Sequence, residues 1–177
     1  MAAHEKEPVL PFRVRAAHPG DIPHLMRLKR LLAQSEDSLH AVRASAADWL
    51  RDGFGAGAGF TAFVAETRDG TIAGMVTCSQ RVITGWNGPV VFLQDLFVDA
   101  QYRRHGIAQA LTARVAAYAH KLGSPIVELT VRADNPAQTF YRRNGFAHLP
   151  QCHTYVLAGA ALAALAKRDA EEFALAG

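Results

Sequence analysis

Cysteine is scarce in this chain: Cys78 and Cys152 are the two among 177 residues, and each sits in an apolar run. That argues against a disulfide framework or a zinc cluster and leaves buried free thiols as the expectation. The first twelve residues, MAAHEKEPVLPF, carry acids and no apolar block, so no secretory signal is read there. Between 144 and 166 no Lys, Arg, Asp or Glu occurs, but the strongly apolar part, 156–166, is too short to cross a bilayer. The eight histidines show no H-E-x-x-H or other paired ligand spacing, so no metal is expected. Charge of one sign is also thin. A net charge of +3 and a pI near 9.1 suit an anionic ligand but not a dedicated nucleic-acid binder. A soluble, cytoplasmic enzyme or binding domain is the resulting expectation, without membrane or nucleic-acid partners.

What is present reads as one mixed α/β unit. FRVRAA (12–17) alternates like a strand after a loose tail, 1–11. Asp21 precedes an apolar stripe, Ile22, Leu25, Met26, Leu28 and Leu32, at helical spacing. Ser45 caps a second short helix over 45–54, and the glycines of 53–59 form a connector. Strands over 60–67 and 71–83 flank Asp69-Gly70, a hairpin signal, and a turn at Trp86 leads into VVFLQDLFV (90–98). A helix follows, with Ile107, Leu111, Val115 and Tyr118 on one face and Gly123 at its end. PIVELTVRA (125–133) is another strand, Asp134 starts a short helix closed by Gly145, HTYVLAG (153–159) is a final strand, and 160–174 a terminal helix. Lys29-Arg30 and Arg142-Arg143 read as solvated helix faces, with an anion contact as the alternative for Arg143.

QYRRHGIAQAL (101–111) carries the first chemistry. It lies between a buried strand and the first turn of a helix, where unpaired N–H groups and the positive end of the helix dipole face an anion. Gly106 permits unusual backbone angles, Ala108 keeps the path narrow, and Arg103 and Arg104 add charge: together a phosphate seat, or else a solvated loop whose glycine serves only its turn. The glycines of 53–59 are the weaker anion candidate, because they run helix, glycines, strand.

LFVDAQYRRHGIAQALTARV resembles the acetyl-CoA motif of the GNAT acetyltransferases, with Arg103, Gly106 and Ala108 at the positions of R-x-x-G-x-G/A. About thirty residues later, DNPAQTFYRRNGF is similar to the family's N-x-x-A/S-x-x-F-Y-x-x-x-G-F segment. DWLRDGFG, the Trp86 turn and VFLQDLFVDAQYRRHGIA look most like the diamine and thialysine N-acetyltransferase branch. One departure stands out: Leu93-Gln94-Asp95 replaces that branch's usual L-E-D. The resemblance implies a single GNAT domain over 12–158 with a C-terminal helical segment, 159–177, and a twisted, mostly antiparallel sheet of six to seven strands with flanking helices.

It also implies direct acetyl transfer from acetyl-CoA to a primary amine of a small molecule. Leu96, Phe97 and Val98 would pair with the pantetheine arm. The N–H groups of Arg103, Arg104, His105, Gly106, Ile107, Ala108 and Gln109 would hold the pyrophosphate. Tyr141 would protonate the departing sulfur, a role a phenol of pKa about 10 can fill at neutral pH, or else it is an aromatic core residue. Asn135 would contact the cofactor or simply cap a helix. Gln94 cannot take the amine's proton. Asp95 could, but in a regular strand it points to the face opposite Gln94, unless a bulge re-aims one of them. Water-mediated deprotonation is the preferred expectation. Glu36, with Asp37, is what remains of an acidic substrate segment, AQSEDSLHAV, and this thinning argues against a highly charged polyamine. A protein N-acetyltransferase and a silent acetyl-CoA sensor are the alternatives. The resemblance also implies a homodimer, for which the uncharged C-terminal segment could supply the surface.

Overall fold

The computed structural model describes residues 10–85 and 87–175, with side chains described to 167, so the Trp86 turn and most of the 1–11 tail lie outside the described residues. The chain divides into two compact units meeting at Asp134 and Asn135.

In the first unit five strands are ordered β1 (Phe12–Ala16), β2 (Thr61–Thr67), β3 (Ile72–Arg81), β4 (Val90–Val98) and β5 (Val127–Glu128). The first four pair antiparallel, and β4–β5 is parallel. The sheet is sorted by its two-residue period. Phe63 and Ala65 of β2 face one side, packing with Val76, Leu93, Ile107, Leu111 and Val115. Ala62 and Val64 face the other, with Leu25, Leu28, Trp49, Met75 and Phe97. Helix α3 (Ile107–Lys121) covers the first face, and α1 (Ile22–Ser35) and α2 (Ala46–Phe54) the second. Leu111 and Val115 are fully buried, as the helical spacing predicts; each such side chain contributes about 1.5–3 kcal/mol. Tyr118 completes that stripe, its ring edge-on to Phe63 at 5.7 Å and its hydroxyl accepting from Gln80 Nε2 at 3.1 Å.

Two strand irregularities re-aim side chains. The β2–β3 register passes from Ala65↔Gly74 to Glu66↔Ile72, leaving Ala73 as the extra residue. The β3–β4 register passes from Thr77↔Asp95 to Cys78↔Leu93, leaving Gln94 as the extra residue. Gly74 lies where α3 presses on β3: a Cβ there would stand 3.0 Å from the Phe97 carbonyl oxygen and 3.1 Å from Ile107 Cγ2.

Several expectations are corrected. Among the described residues the sheet has five strands, not six to seven. The segment 153–159 alternates, yet a strand needs a neighbour's N–H and C=O ladder, and no described residue supplies one; 151–158 is exposed and irregular. PIVELTVRA contributes only Val127–Glu128, because its ladder stops at Phe92↔Glu128, next to the β4 bulge. Asp21 makes no side-chain cap to α1; its carboxylate accepts from the His18 N–H and pairs with Arg15 at 2.6 Å. Asp134 likewise pairs with Arg132. In the second unit, α4 spans Ala137–Arg143 and Gly145 leaves it at a φ of 86°. There Asn135 Oδ1 accepts from the Ala137 N–H at 2.8 Å. Helix α5 spans Gly159–Leu175. Cys78 is buried, its thiol pushed up to about 11 by burial, but Cys152 is exposed.

Ser45 caps α2 as expected, and reciprocally. Its Oγ accepts from the Asp48 N–H at 3.2 Å, while the Asp48 carboxylate accepts from the Ser45 N–H at 2.9 Å. The Ser45 hydroxyl and N–H, with Arg51, hold the Asp48 carboxyl at about 2, below the ordinary ~3.9 of a free aspartate. A lowered native pKa stabilises the fold above the unfolded value and loses that contribution as pH falls through the native one. Asp48→Asn is therefore expected to lower Tm at pH 7, with the gap to wild type closing between about pH 4 and pH 2 in thermal melts. Gly74→Ala is expected to cost about 1–3 kcal/mol by overpacking the α3 contact, read as a lower urea midpoint at unchanged slope.

Candidate active site

Strand β4 carries the site because its two edges are treated differently. One edge pairs with β3 along nearly its whole length. The other pairs with β5 only at Val91↔Val127 and Phe92↔Glu128. From Leu93 to Val98 that second edge has no strand partner among the described residues. An extended ligand with amide groups can add there as a strand does. Leu96, Phe97 and Val98 all lie on this stretch. Part of it is already used: Arg103 turns back so that its Nε donates to the Val98 carbonyl at 3.1 Å, its guanidinium 5.6 Å from the Phe97 ring centre.

The chain then turns through Ala100–Tyr102, and Arg104 and Gly106 both adopt left-handed backbone, φ 69° and 80°. Gly106 is the N-cap of α3 and provides no side-chain acceptor. The first intrahelical bond is Ala110 N–H to the Gly106 carbonyl at 3.0 Å. The N–H groups of Arg104, His105, Gly106, Ile107, Ala108 and Gln109 consequently have no acceptor among the described residues. Six donors at the positive end of a fifteen-residue helix are an arrangement that can receive an anion. A Cβ on Gly106 would meet nothing within 4 Å, so the glycine is needed there for its backbone angle and not for room within the protein. Arg104 is exposed and its charge is free to reach an anion, whereas Arg103 is committed to β4.

On the face of β4 toward α1 and α2 lies a cavity of about 410 Å³. The bulge brings Phe92, Gln94 and Asp95 into its wall together, although a regular strand would send Gln94 and Asp95 to opposite faces. Trp49 and Phe60, edge-on at 5.3 Å, add aromatic wall. Gly53 makes that approach possible, since a Cβ there would stand 2.5 Å from the Phe60 ring. Asp95 Oδ2 accepts from the Thr77 hydroxyl at 3.2 Å, and Oδ1 from Lys29 Nζ at 2.5 Å. Lys29 is thus a wall residue and not part of a solvated helix face. Its signal was positional: Lys29 follows Leu25 by four residues and therefore shares the buried stripe of α1. Asp48 and Asp52 also line the cavity, and Arg51 pairs with both, at 2.9 and 2.7 Å. Glu36 does not reach it; it is the exposed C-cap of α1.

Tyr141 and Asn135 belong to the second unit. The Tyr141 ring stands edge-on to Phe140 at 5.4 Å and to Phe146 at 5.6 Å. Asn135 acts there as a helix-start acceptor for Ala137. Among the described residues no three His, Cys, Asp or Glu side chains converge as metal ligands, and no helix is long and apolar enough to cross a membrane.

Residues 25–146 match the profile of the Acetyltransferase (GNAT) family. The chain is 34% identical over 110 residues, 59% of its length, to the human spermidine/spermine N(1)-acetyltransferase-like protein 1, of which the match covers only 16%. It is 31% identical over 125 residues, 67% of its length, to thialysine N-epsilon-acetyltransferase of Mus musculus, covering 74% of that protein. The fold is similar to an integron cassette protein from the V. cholerae mobile metagenome, with a TM-score of 0.73, 21% identity, and coverage of 88% of this chain and 98% of that one. It is also similar to the aminoglycoside N-acetyltransferase AAC(6')-Iy in complex with CoA, with a TM-score of 0.66, 22% identity, and coverage of 83% and 95%. With the family profile spanning most of the chain, the protein belongs to the GNAT acetyltransferases and is an acetyl-CoA-dependent acyltransferase.

Proposed function

We propose that the protein acetylates a primary amine of a small molecule, using the free edge of β4 and the start of α3 for acetyl-CoA and the 410 Å³ cavity for the acceptor. The observation that carries this reading is the juxtaposition on one strand: Leu96–Val98 offers a ladder to an amide-bearing arm, and Gln94 and Asp95, immediately before it, face the cavity. The names of the spermidine/spermine-like and thialysine relatives, and the CoA complex among similar folds, point the same way. The catalytic domain is taken as 12–158.

The pyrophosphate sits on the N–H groups from Arg104 to Gln109, with Arg104 adding charge; the Arg103 N–H, expected among them, donates instead to the Ala100 carbonyl. The neutral acceptor nitrogen attacks the thioester carbonyl carbon, and the C–S bond breaks as the tetrahedral adduct collapses. Tyr141 gives its phenolic proton to the departing sulfur, and Asn135 helps hold the cofactor. The acceptor's own proton leaves through water oriented by Gln94, because both oxygens of Asp95 are occupied by Lys29 and Thr77. Asp95 serves as a charge partner in the cavity wall. Glu36 lies outside the cavity, so its contribution is to attract a cationic acceptor from solution. The protein acts in the cytoplasm as a homodimer; the exposed Tyr155, Val156, Leu157, Leu162 and Leu165 support the second point as apolar surface to be covered.

Calorimetric titration with acetyl-CoA, CoA and ATP tests the cofactor site. Saturable acetyl-CoA binding in preference to ATP is expected, lost in Gly106→Trp. The new side chain meets no protein atom within 4 Å of its Cβ, so the left-handed strain of about 1–2 kcal/mol leaves the variant folded while the indole fills the anion seat. Equal binding of ATP would refute the reading. Thiol release with an amine panel tests turnover. Tyr141→Phe is expected to lower kcat by about a hundredfold, in the range of general acid catalysis, with acetyl-CoA affinity unchanged; unaltered kcat would remove Tyr141 from the mechanism. Binding without turnover on any amine would identify a sensor.

A further inference from the structure

Each of the three carboxylates in the cavity wall is in an ion pair, but not equally. Asp48 and Asp52 share one cation, Arg51, whereas Asp95 has Lys29 to itself. The Asp95 pair is the one inside: the Lys29 and Asp95 side chains are 32% and 16% exposed, and the second Asp95 oxygen is taken by Thr77. Asp95 is also the nearest of the three, along the chain, to the β4 edge at Leu96. An acceptor carrying two ammonium groups would need an unpaired carboxylate for the one that does not react. The rest of the wall holds the rings of Trp49, Phe60 and Phe92 and the apolar Val42, with Arg43 and Gln94 as its further polar side chains beside Thr77.

We propose that Lys29 is a tethered ammonium that occupies the anionic position at Asp95, so that the acceptor is a primary amine with an uncharged, largely apolar remainder and diamines are turned away. The inference rests on the acetyltransferase reading for its chemistry but on the Lys29–Asp95 pair for its selectivity. Lys29 is a specificity-determining residue: its Nζ stands where a substrate's second ammonium would stand, and a ligand cation must displace it at full cost in desolvation and a broken charge-assisted hydrogen bond. Nothing in α1 besides Lys29 supplies this charge to Asp95.

The test compares pentylamine with 1,5-diaminopentane, equal in chain length and differing in one ammonium, on wild type, Lys29→Met and the double variant Lys29→Met/Asp95→Asn. Wild type is expected to prefer pentylamine in kcat/KM. Lys29→Met should raise the diamine-to-monoamine ratio by about tenfold or more, one unit charge being exchanged at close range. The double variant should lose that gain. Lys29→Gln keeps a neutral donor for Asp95 and serves if the Met variant does not fold; the same direction is expected. Calorimetric binding of 1,5-diaminopentane to the CoA-loaded protein provides a readout independent of turnover. Tighter diamine binding in the Lys29 variant, reversed by Asp95→Asn, upholds the proposal even if no acetyl transfer is seen, an outcome that would fell only the acetyltransferase reading. A folded Lys29 variant with unchanged ratio and unchanged diamine binding overturns it, whatever the enzyme acetylates.

Discussion

Gln94 has no partner on β3, and much of what this molecule can do depends on that mismatch. A regular antiparallel strand alternates strictly, so the five residues from Phe92 to Leu96 would split between the two faces. The extra residue lets Leu93 and Leu96 both pack toward α3 while Phe92, Gln94 and Asp95 all line the opposite cavity. The ladder to β5 also ends beside the bulge, at Phe92↔Glu128, and the remaining edge of β4 is left with unused N–H and C=O groups. Those groups are costly to bury unpaired and useful to a ligand that can pair with them. One irregularity thus gives the strand a polar wall on one face and a docking edge along its side.

The electrostatics of the two halves of the site differ in kind. The anion seat is built from backbone: six N–H groups at the end of α3, reached through two left-handed residues, with side-chain charge from Arg104 added. Backbone donors hold their geometry with little conformational entropy to lose, which suits a ligand recognised by its phosphates. The cavity is built from side chains, where Lys29 answers Asp95 and Arg51 is shared between Asp48 and Asp52. On the proposed reading, the Lys29–Asp95 pair keeps a second substrate ammonium from that position. Under that reading the spermidine/spermine-like relative does not indicate this chain's acceptor.

Legibility in the sequence followed the range of the interactions. The stripe Ile107, Leu111, Val115, the Ser45 cap and the Asp69-Gly70 hairpin depend on neighbours within a few residues, and all three form. The start of α3 was legible for the same reason: Gly106 is the N-cap whose left-handed angle begins the helix. HTYVLAG at 153–159 misled because alternation measures what a strand would bury, whereas a strand exists only beside another. Asp21 and Asp134 misled because each could cap a helix locally but found an arginine instead, Arg15 and Arg132.

What the chain determined without help from its fold was the order of elements as far as α4, the helical stripes and the left-handed glycine that starts α3, since propensity, periodicity and backbone angle act over one or two turns. The partners of Asp95 were decided only when α1, β3 and β4 came together. Lys29 lies 66 residues away and Thr77 lies 18 away, and no local pattern relates them. The common face of Gln94 and Asp95 is likewise a matter of register between two strands, and register is a property of the pair, which neither strand's sequence contains alone.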